Sequence, residues 1–159
     1  AQVNTEPQII YFIMNMVIKT ILKKRAQNWE ALIKEFLWDK GYCPVCGALP
    51  NIAWIQEANF QRWLHCSQCA HEWTFSRVIC PCCGNNEQES MTYFYIEDKK
   101  MESTFVCEKC KRYLITLNNI NELFDYDADI LALGLTHMDL IMQEKGYQSM
   151  SEPEWGFFS

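Results

Sequence analysis

The pattern of hydrophobic and polar residues divides the chain into three parts. In residues 7–40 apolar side chains recur at helical spacing, which predicts one long helix, or two with a break in the polar segment 23–28. Residues 43–117 instead contain short β-prone runs separated by cysteine-bearing turns, and these runs are 73–78, 91–96, 104–106 and 113–117. Helical spacing returns in residues 125–146, where Gly146 is the expected stop. The expected fold class is therefore α+β.

Cysteine spacing supplies the strongest chemical signal. The chain has nine cysteines, and eight of them form four Cys-x-x-Cys pairs, namely Cys43 and Cys46, Cys66 and Cys69, Cys80 and Cys83, and Cys107 and Cys110. This spacing allows both thiolates of a pair to bind one ion, so two pairs make one four-cysteine site. The count predicts two metal ions per chain. Four thiolates suit zinc and a rubredoxin-type iron equally well, so the ligands alone do not identify the metal.

The order of the pairs along the chain favours one pairing scheme. A gap of 19 residues separates Cys46 from Cys66, and a gap of 23 residues separates Cys83 from Cys107. Each gap has a length that suits a β-hairpin between two cysteine turns. We therefore expect the first pair to join the second and the third to join the fourth. The interleaved arrangement, first with third and second with fourth, stays open on spacing alone.

Four other residues of types that often take part in metal or redox chemistry have simpler interpretations. Cys82 lies inside the third pair and is expected to be a small turn residue rather than a ligand. His65 and His71 flank the second pair, and we expect hydrogen bonding or surface exposure from them, because four cysteines already complete a site. His137 lies in an apolar helical pattern, which predicts a buried histidine with a hydrogen-bond partner.

Composition narrows the function classes. An apolar share of 49% is typical of a globular protein. The most apolar stretch, residues 9–18, is shorter than the roughly 20 residues of a membrane-spanning helix, so we expect no membrane segment. No secretory signal pattern is visible, and we expect a cytoplasmic protein. The sequence has no phosphate-binding loop, nucleophile elbow or His-Glu-x-x-His motif, so no enzyme is expected.

Charge argues against a nucleic-acid partner. Residues 41–117 carry seven Lys or Arg against eight Asp or Glu, and each four-thiolate site around a divalent ion adds about −2. A zinc ribbon that binds nucleic acid needs a basic surface, and only residues 109–112 form a basic cluster. A nucleic-acid-binding zinc ribbon and a rubredoxin-like electron carrier nevertheless remain alternative functions.

Longer motifs around the cysteines resemble one known family. The segments that carry the resemblance are Gly41-Tyr-Cys-Pro-Val-Cys-Gly47, Arg62-Trp-Leu-His-Cys66, Arg77-Val-Ile-Cys80 and Cys107-Glu-Lys-Cys-Lys-Arg-Tyr-Leu114, followed by the acidic helical segment 129–147. They are similar to the FdhE family of formate dehydrogenase accessory proteins, and the resemblance covers most of the chain. The extra thiol of Cys82 departs from the family pattern.

The resemblance implies a helical domain followed by two tandem rubredoxin-like or zinc-ribbon modules with small antiparallel sheets. On this basis we expect a helical segment at 1–40, the first module at 41–78, the second at 79–118, and a C-terminal helix and tail at 119–159. The first segment would be the remnant of a larger helical domain.

The resemblance also implies a function. It points to an assembly protein that binds the catalytic subunit of formate dehydrogenase in the cytoplasm before export, with iron held by the eight paired cysteines. Five aromatic residues are candidates for the partner surface, although packing around the modules is the simpler role for each: Trp54, Trp63, Trp73, Tyr93 and Tyr95. The sequence gives no indication of the oligomeric state.

Overall fold

The computed structural model describes residues 7–96, 99–120 and 128–152. Its helices and strands follow in chain order as α1 Pro7–Lys34, β1 Pro50–Ile55, β2 Arg62–Cys66, β3 Glu72–Phe75, β4 Met91–Ile96, β5 Lys99–Cys107, β6 Arg112–Leu117, α2 Ala128–Gly134, α3 Thr136–Glu144 and β7 Gln148–Ser149. A short 3-10 turn, Gln88–Ser90, leads into β4. An N-terminal helix with a mixed sheet confirms the predicted α+β class.

Each half of the cysteine-rich region forms an antiparallel unit of three strands. In the first half β1 pairs with β2 and β2 with β3, and in the second half β4 pairs with β5 and β5 with β6. The β1–β2 hairpin lies between the first and second cysteine pairs, and the β4–β5 hairpin lies between the third and fourth. Both hairpins are those that the gaps between cysteine pairs predict.

The two units are joined into one sheet. Residues Ile52–Trp54 of β1 run parallel to Ile115–Leu117 of β6, and the short strand β7 also runs parallel to β6. The family resemblance implies two tandem modules with small antiparallel sheets, and the described residues join the two antiparallel units into one seven-stranded sheet in the order β3-β2-β1-β6-β5-β4, with β7 beside β6. Without the contact between them, the apolar strands β1 and β6 would each have an unpaired edge. Their pairing removes both free edges.

Both faces of this sheet are buried at its centre. One face carries the cysteine clusters and packs against α1 through a core of Ala26, Ala53, Leu64, Phe105 and Leu114. The opposite face packs against the C-terminal helices through Trp54, Val106, Ile115, Met138 and Met142. Successive residues of a strand point to opposite faces. The central strands are therefore apolar at nearly every position instead of alternating.

The N-terminal helix is continuous, so of the two alternatives that the sequence left open, one long helix is correct. It passes through the polar segment 23–28 without a break, because Ala26 within that segment faces the core and is only 5% exposed. The helix ends at Lys34, before the end of its apolar pattern. Gly41 lies seven residues beyond the end of α1, where the chain passes so close to the third cysteine pair that a Cβ atom would lie 2.0 Å from the carbonyl oxygen of Pro81.

The C-terminal helical pattern is divided between α2 and α3, and residues 125–127 lie outside the described ranges. Leu135 lies between the two helices with φ −98° and ψ 9°. Gly146 follows α3 with φ 84°, as expected for the stop. Within the described part of the chain, no helix has the length and apolar content needed to cross a membrane. The sequence-derived module boundaries stay a prediction.

Candidate metal centres

The first and second cysteine pairs meet in one cluster. The sulfur atoms of Cys43, Cys46, Cys66 and Cys69 all lie within 4.8 Å of one another. Cys43 Sγ is 3.4 Å from Cys69 Sγ, and Cys46 Sγ is 3.4 Å from Cys66 Sγ and 3.7 Å from Cys69 Sγ. The β1–β2 hairpin brings these pairs together, because one pair precedes β1 and the other begins at the last residue of β2.

The third and fourth pairs form a second cluster. The sulfurs of Cys80, Cys83, Cys107 and Cys110 also lie within 4.8 Å of one another. Cys80 Sγ is 3.8 Å from Cys110 Sγ, and Cys83 Sγ is 3.7 Å from Cys107 Sγ. The pairing is therefore sequential, as the gap lengths favour, and the interleaved alternative is wrong.

The sulfur positions fit a closed tetrahedral metal site. A metal–sulfur distance of about 2.3 Å places the sulfurs of a regular tetrahedron about 3.8 Å apart, and the observed separations of 3.4 to 3.8 Å lie close to that value. A disulfide would need about 2.0 Å between sulfurs. Each cluster could therefore hold one metal ion, and the four-sulfur geometry is the same for zinc and for iron.

One backbone turn builds all four cysteine pairs. The residue after the second cysteine has a positive φ of 56° to 78° in each case, and its N–H donates to the carbonyl oxygen of the first cysteine: Gly47, Ala70, Gly84 and Lys111. In the first cluster the N–H groups of Val45 and Gln68 donate to Cys43 Sγ and Cys66 Sγ, both at 3.4 Å. These amide dipoles offset negative charge on the sulfurs.

The thiols of each cluster do not ionise together without a cation. In the first cluster a hydrogen bond with Cys43 raises the pKa of Cys66 and of Cys69. In the second, burial raises the pKa of Cys80 to about 12 and also raises the pKa of Cys110. A metal ion binds the thiolate form, so metal binding would release protons and depend on pH.

The two clusters differ in exposure. In the first, three of the four cysteines are buried and Cys46 is half-buried. The segment after α1 lies against this cluster, where the indole N–H of Trp73 donates to the carbonyl of Lys40 at 3.0 Å. In the second, Cys83 is exposed and Cys110 is half-buried. The second cluster is therefore the more exposed of the two.

Comparisons with known proteins agree with this geometry. A model of the FdhE central domain matches residues 42–77, which contain the whole first cluster. The FdhE homolog of Aquifex aeolicus is 30% identical over 129 residues, which are 76% of this chain and 43% of that protein. FdhE of Escherichia coli K12 is 32% identical over 124 residues, or 74% of this chain and 38% of that protein.

A solved structure extends the match to the fold. The crystal structure of the FdhE protein from Pseudomonas aeruginosa superposes with a TM-score of 0.61 at 28% identity, covering 72% of this chain and 41% of that chain. Over most of its length, this chain is therefore similar to FdhE proteins in both sequence and fold. The resemblance carried by the cysteine motifs is thereby confirmed. The chain spans about two fifths of the length of these FdhE relatives.

The structure places the three histidines of this chain outside both clusters. His65 Nδ1 lies 3.2 Å from a carboxylate oxygen of Glu72, and the His71 ring stacks on Trp73 with centroids 6.5 Å apart. Burial lowers the pKa of His71. His137 is half-buried and lies 3.0 Å from a Glu102 oxygen, at the surface rather than in the core. The prediction of a core histidine at position 137 is wrong, because its helix presents that side to the Glu102 carboxylate.

Most of the five aromatic candidates for the partner surface are buried or half-buried. Trp54 and Trp73 are buried at 3% and 5% exposure, and Trp63 and Tyr93 are half-buried. Trp54 stacks on Trp63 with ring centroids 5.7 Å apart. Of these five side chains, Tyr95 alone is exposed. Packing, rather than a partner surface, is therefore the role that burial indicates for the tryptophans.

Two residues beside the clusters were not singled out by sequence reasoning. The Asn85 side-chain amide lies 3.8 Å from Cys107 Sγ, while the Asn85 carbonyl accepts from the Cys80 N–H at 2.8 Å. Arg62 is fully buried, and its guanidinium donates to the carbonyl oxygen of Ile79, which immediately precedes Cys80. Asn85 directly follows the Cys82-Cys83-Gly84 turn, and side chains that hydrogen-bond to metal ligands can orient them. The position of Arg62 has no such local signal.

Proposed function

We propose that this chain is the metal-binding part of a formate dehydrogenase accessory protein. Its eight paired cysteines hold two metal ions, and the folded modules bind the catalytic subunit of formate dehydrogenase in the cytoplasm before that subunit is exported. The observation that carries the proposal is the presence of two closed four-cysteine clusters in one sheet of a chain similar to FdhE proteins. The role is one of binding rather than catalysis, because a closed four-thiolate site leaves no position for a substrate or a reactive water.

The metal ions act first as structural ligands. Each cluster connects the two ends of a hairpin, so an ion there ties together the strands that lie between the cysteine pairs. In small modules of this kind the free energy of metal binding contributes directly to folding. The partner therefore recognises the metal-bound form.

The second cluster is the proposed contact region for the partner. Its cysteine Cys83 is exposed, and the turn that carries Lys109 lies next to it. The first cluster is covered by its own chain and offers less surface. A protein partner rather than nucleic acid fits this region, because Lys109 pairs with Glu87 at 3.5 Å, Lys111 pairs with Glu108, and Arg112 donates to the carbonyl of Ser149 at 3.0 Å.

Metal content tests the first half of the proposal. Protein purified without oxygen is analysed for iron and zinc per chain, together with its visible absorption spectrum. Two equivalents of either metal support the proposal. Iron with a red chromophore that bleaches on reduction would additionally favour electron transfer, whereas zinc would end that alternative because zinc has no accessible redox state. Less than about one metal ion per chain would contradict the presence of two four-cysteine sites.

Binding to the catalytic subunit tests the second half. The metal-loaded chain is titrated by calorimetry into the unexported catalytic subunit of a formate dehydrogenase. Lys109→Glu reverses a charge on the exposed turn of the second cluster, and Lys34→Glu makes the same change on the exposed surface of α1. We expect the first substitution to weaken binding and the second to leave it unchanged. Absence of binding, or equal loss in both variants, would contradict the proposed contact region.

A further inference from the structure

Arg62 is a positively charged side chain buried between the two modules. It begins β2, which belongs to the first module, and its exposed fraction is 0%. The guanidinium donates from Nη2 to the carbonyl of Ser76 and, at 2.6 Å, to the carbonyl of Ile79. Ile79 immediately precedes Cys80, the first cysteine of the second cluster. One side chain thus connects a strand of the first module to the entry of the second site.

The surroundings of Arg62 do not neutralise its charge. The guanidinium lies 5.3 Å from the ring centres of Phe75 and of Phe105. In the described residues, its Nε and Nη1 atoms have no hydrogen-bond partner, and the groups that accept from Nη2 are neutral carbonyls. Contacts with aromatic faces and carbonyl oxygens offset only part of the cost of burying an ionised group. A buried guanidinium normally has a negatively charged partner.

The second cluster can supply that negative charge. Four thiolates around a divalent ion carry a net charge of about −2, and Cys80 of this cluster is fully buried. Burial lowers the pKa of Arg62, while its electrostatic interactions with Tyr93 and with Cys80 oppose that shift. The charges of the guanidinium and of a metal–thiolate centre therefore stabilise each other inside the protein, where salt screens them weakly.

We propose that Arg62 is an internal counter-ion of the second metal site, so that a side chain of the first module sets the metal affinity of the second. The inference rests on the proposed binding of metal ions by the two clusters. It assigns to Arg62 a positioning and charge-balancing role, not ligation. It also explains why a cation is buried where an apolar residue would otherwise be expected on β2.

Cadmium binding to the whole chain tests this role. Cadmium bound by four thiolates has a diagnostic NMR resonance, and one resonance is expected per site. Competition with a chelator then gives the affinity of each site within the same molecule, and the first site acts as an internal reference. Arg62→Gln removes the buried charge but keeps an amide that can donate to carbonyls. Arg77→Gln makes the same change at an exposed arginine three residues before Cys80.

We expect Arg62→Gln to weaken the second site by about 10- to 100-fold relative to the first, the usual size of an outer-shell effect. Arg77→Gln should change the ratio little, because water and salt screen an exposed charge. Arg62→Lys keeps the charge and should retain most of the affinity of the second site.

Three results would overturn the inference. They are an unchanged ratio in Arg62→Gln, an equal loss at both sites, and a loss in Arg62→Lys as large as in Arg62→Gln. Should Arg62→Gln not fold, Arg62→Lys decides alone, since a preserved ratio supports charge balance and a reduced ratio contradicts it. Failure of the unmodified chain to show two cadmium resonances would instead refute metal binding itself, so the two failures are distinguishable.

Discussion

The two four-cysteine clusters share one backbone turn but lie in different surroundings. Their sulfur separations are similar, at 3.4 to 3.7 Å in the first cluster and 3.7 to 3.8 Å in the second. The first cluster is covered by the segment between α1 and β1, whereas the second leaves Cys83 exposed. The same ligand set therefore produces one site enclosed in a core and one site at the surface. The local motif determines coordination, and the rest of the chain determines access.

This difference in exposure supports the proposed division of roles between the two sites. An enclosed site is suited to holding the sheet together, because neither chelators nor partners reach its ligands easily. A site with an exposed cysteine can exchange its ion and contact another protein. The position of Arg62 complicates this division, since the proposed counter-ion of the accessible site comes from the module that contains the enclosed one.

Replacement of one cysteine in each cluster is expected to give the largest difference. Cys43→Ser removes a fully buried ligand of the first site, and structural four-ligand sites contribute about 10–16 kcal/mol of apparent binding free energy to folding. We expect this variant to lose the order of β1–β3. Cys83→Ser removes an exposed ligand, so we expect loss of one metal ion with the first module still folded. Metal content and near-ultraviolet circular dichroism measure both effects.

Cys82→Ser is the matched control for these variants. It makes the same chemical change next to Cys83, but its sulfur belongs to neither cluster. The metal content should stay at the parental value. Loss of one ion in Cys82→Ser would show that this thiol is a ligand, and loss of both ions in Cys83→Ser would show that the sites do not behave separately.

Phe105→Ala tests whether the modules share one core. Phe105 belongs to β5 of the second module, yet it packs in one buried cluster with Ala53 and Leu64 of the first and is 0% exposed. We expect a loss of about 3–5 kcal/mol in the free energy of unfolding, the usual cost of removing a buried phenyl ring. The unfolding transitions followed by tryptophan fluorescence and by metal–thiolate absorption should stay coincident. If Phe105→Ala shifted only the transition followed by metal–thiolate absorption, the modules would have separate cores.

The candidate sites were more predictable from the sequence than the sheet that joins them. Pair spacing identifies the eight cysteines, and gap lengths indicate the two hairpins, because both depend on residues close in sequence. The pairing of β1 with β6 joins residues about 60 positions apart, and no local pattern encodes that contact. The contacts of Gly41 with Pro81 and of Arg62 with Ile79 are likewise tertiary contacts that no local sequence pattern predicts.

The ends of the helices were likewise only partly predictable from the sequence. The apolar pattern of residues 7–40 continues past Lys34, where the helix ends, because the later apolar residue Trp38 packs against the buried core on the cysteine-bearing face of the sheet instead of continuing the helix. Gly146 was recognisable as a stop because a positive φ is a local property. The break at Leu135 was not recognisable, since it arises from packing of α3 onto the sheet.

Tyr113→Phe is expected to weaken the attachment of α3 to the second module. The Tyr113 hydroxyl donates to a carboxylate oxygen of the buried residue Asp139 at 2.8 Å. Hydrogen bonds to charged groups contribute about 1.5–3 kcal/mol, so we expect a loss of stability of that size. Thermal unfolding of the variant and its parent measures the effect.

The pH dependence of stability gives an independent check on this contact. Burial raises the pKa of Tyr113 above its unfolded value of about 10. The unfolded state therefore loses its proton first as the pH rises, so the contribution of this tyrosine is complete below about pH 10 and decreases above it. The phenylalanine variant should lack that part of the alkaline decrease. Identical profiles for both proteins would contradict a buried, neutral Tyr113.

Gly47→Ala and Gly84→Ala should have the smallest effects, and equal ones. Both glycines follow a cysteine pair, with φ of 78° and 71°, and a Cβ atom at either position would have no other atom within 4 Å. The cost is therefore backbone strain alone, about 1–2 kcal/mol for a left-handed residue. Ala70 and Lys111 already adopt this conformation in the other two turns, so the sites tolerate it. Denaturant unfolding of the two variants should give matching losses, because the turns are alike and the clusters differ only in what covers them. A clearly larger loss at Gly47 would locate part of the difference between the clusters in the turn itself.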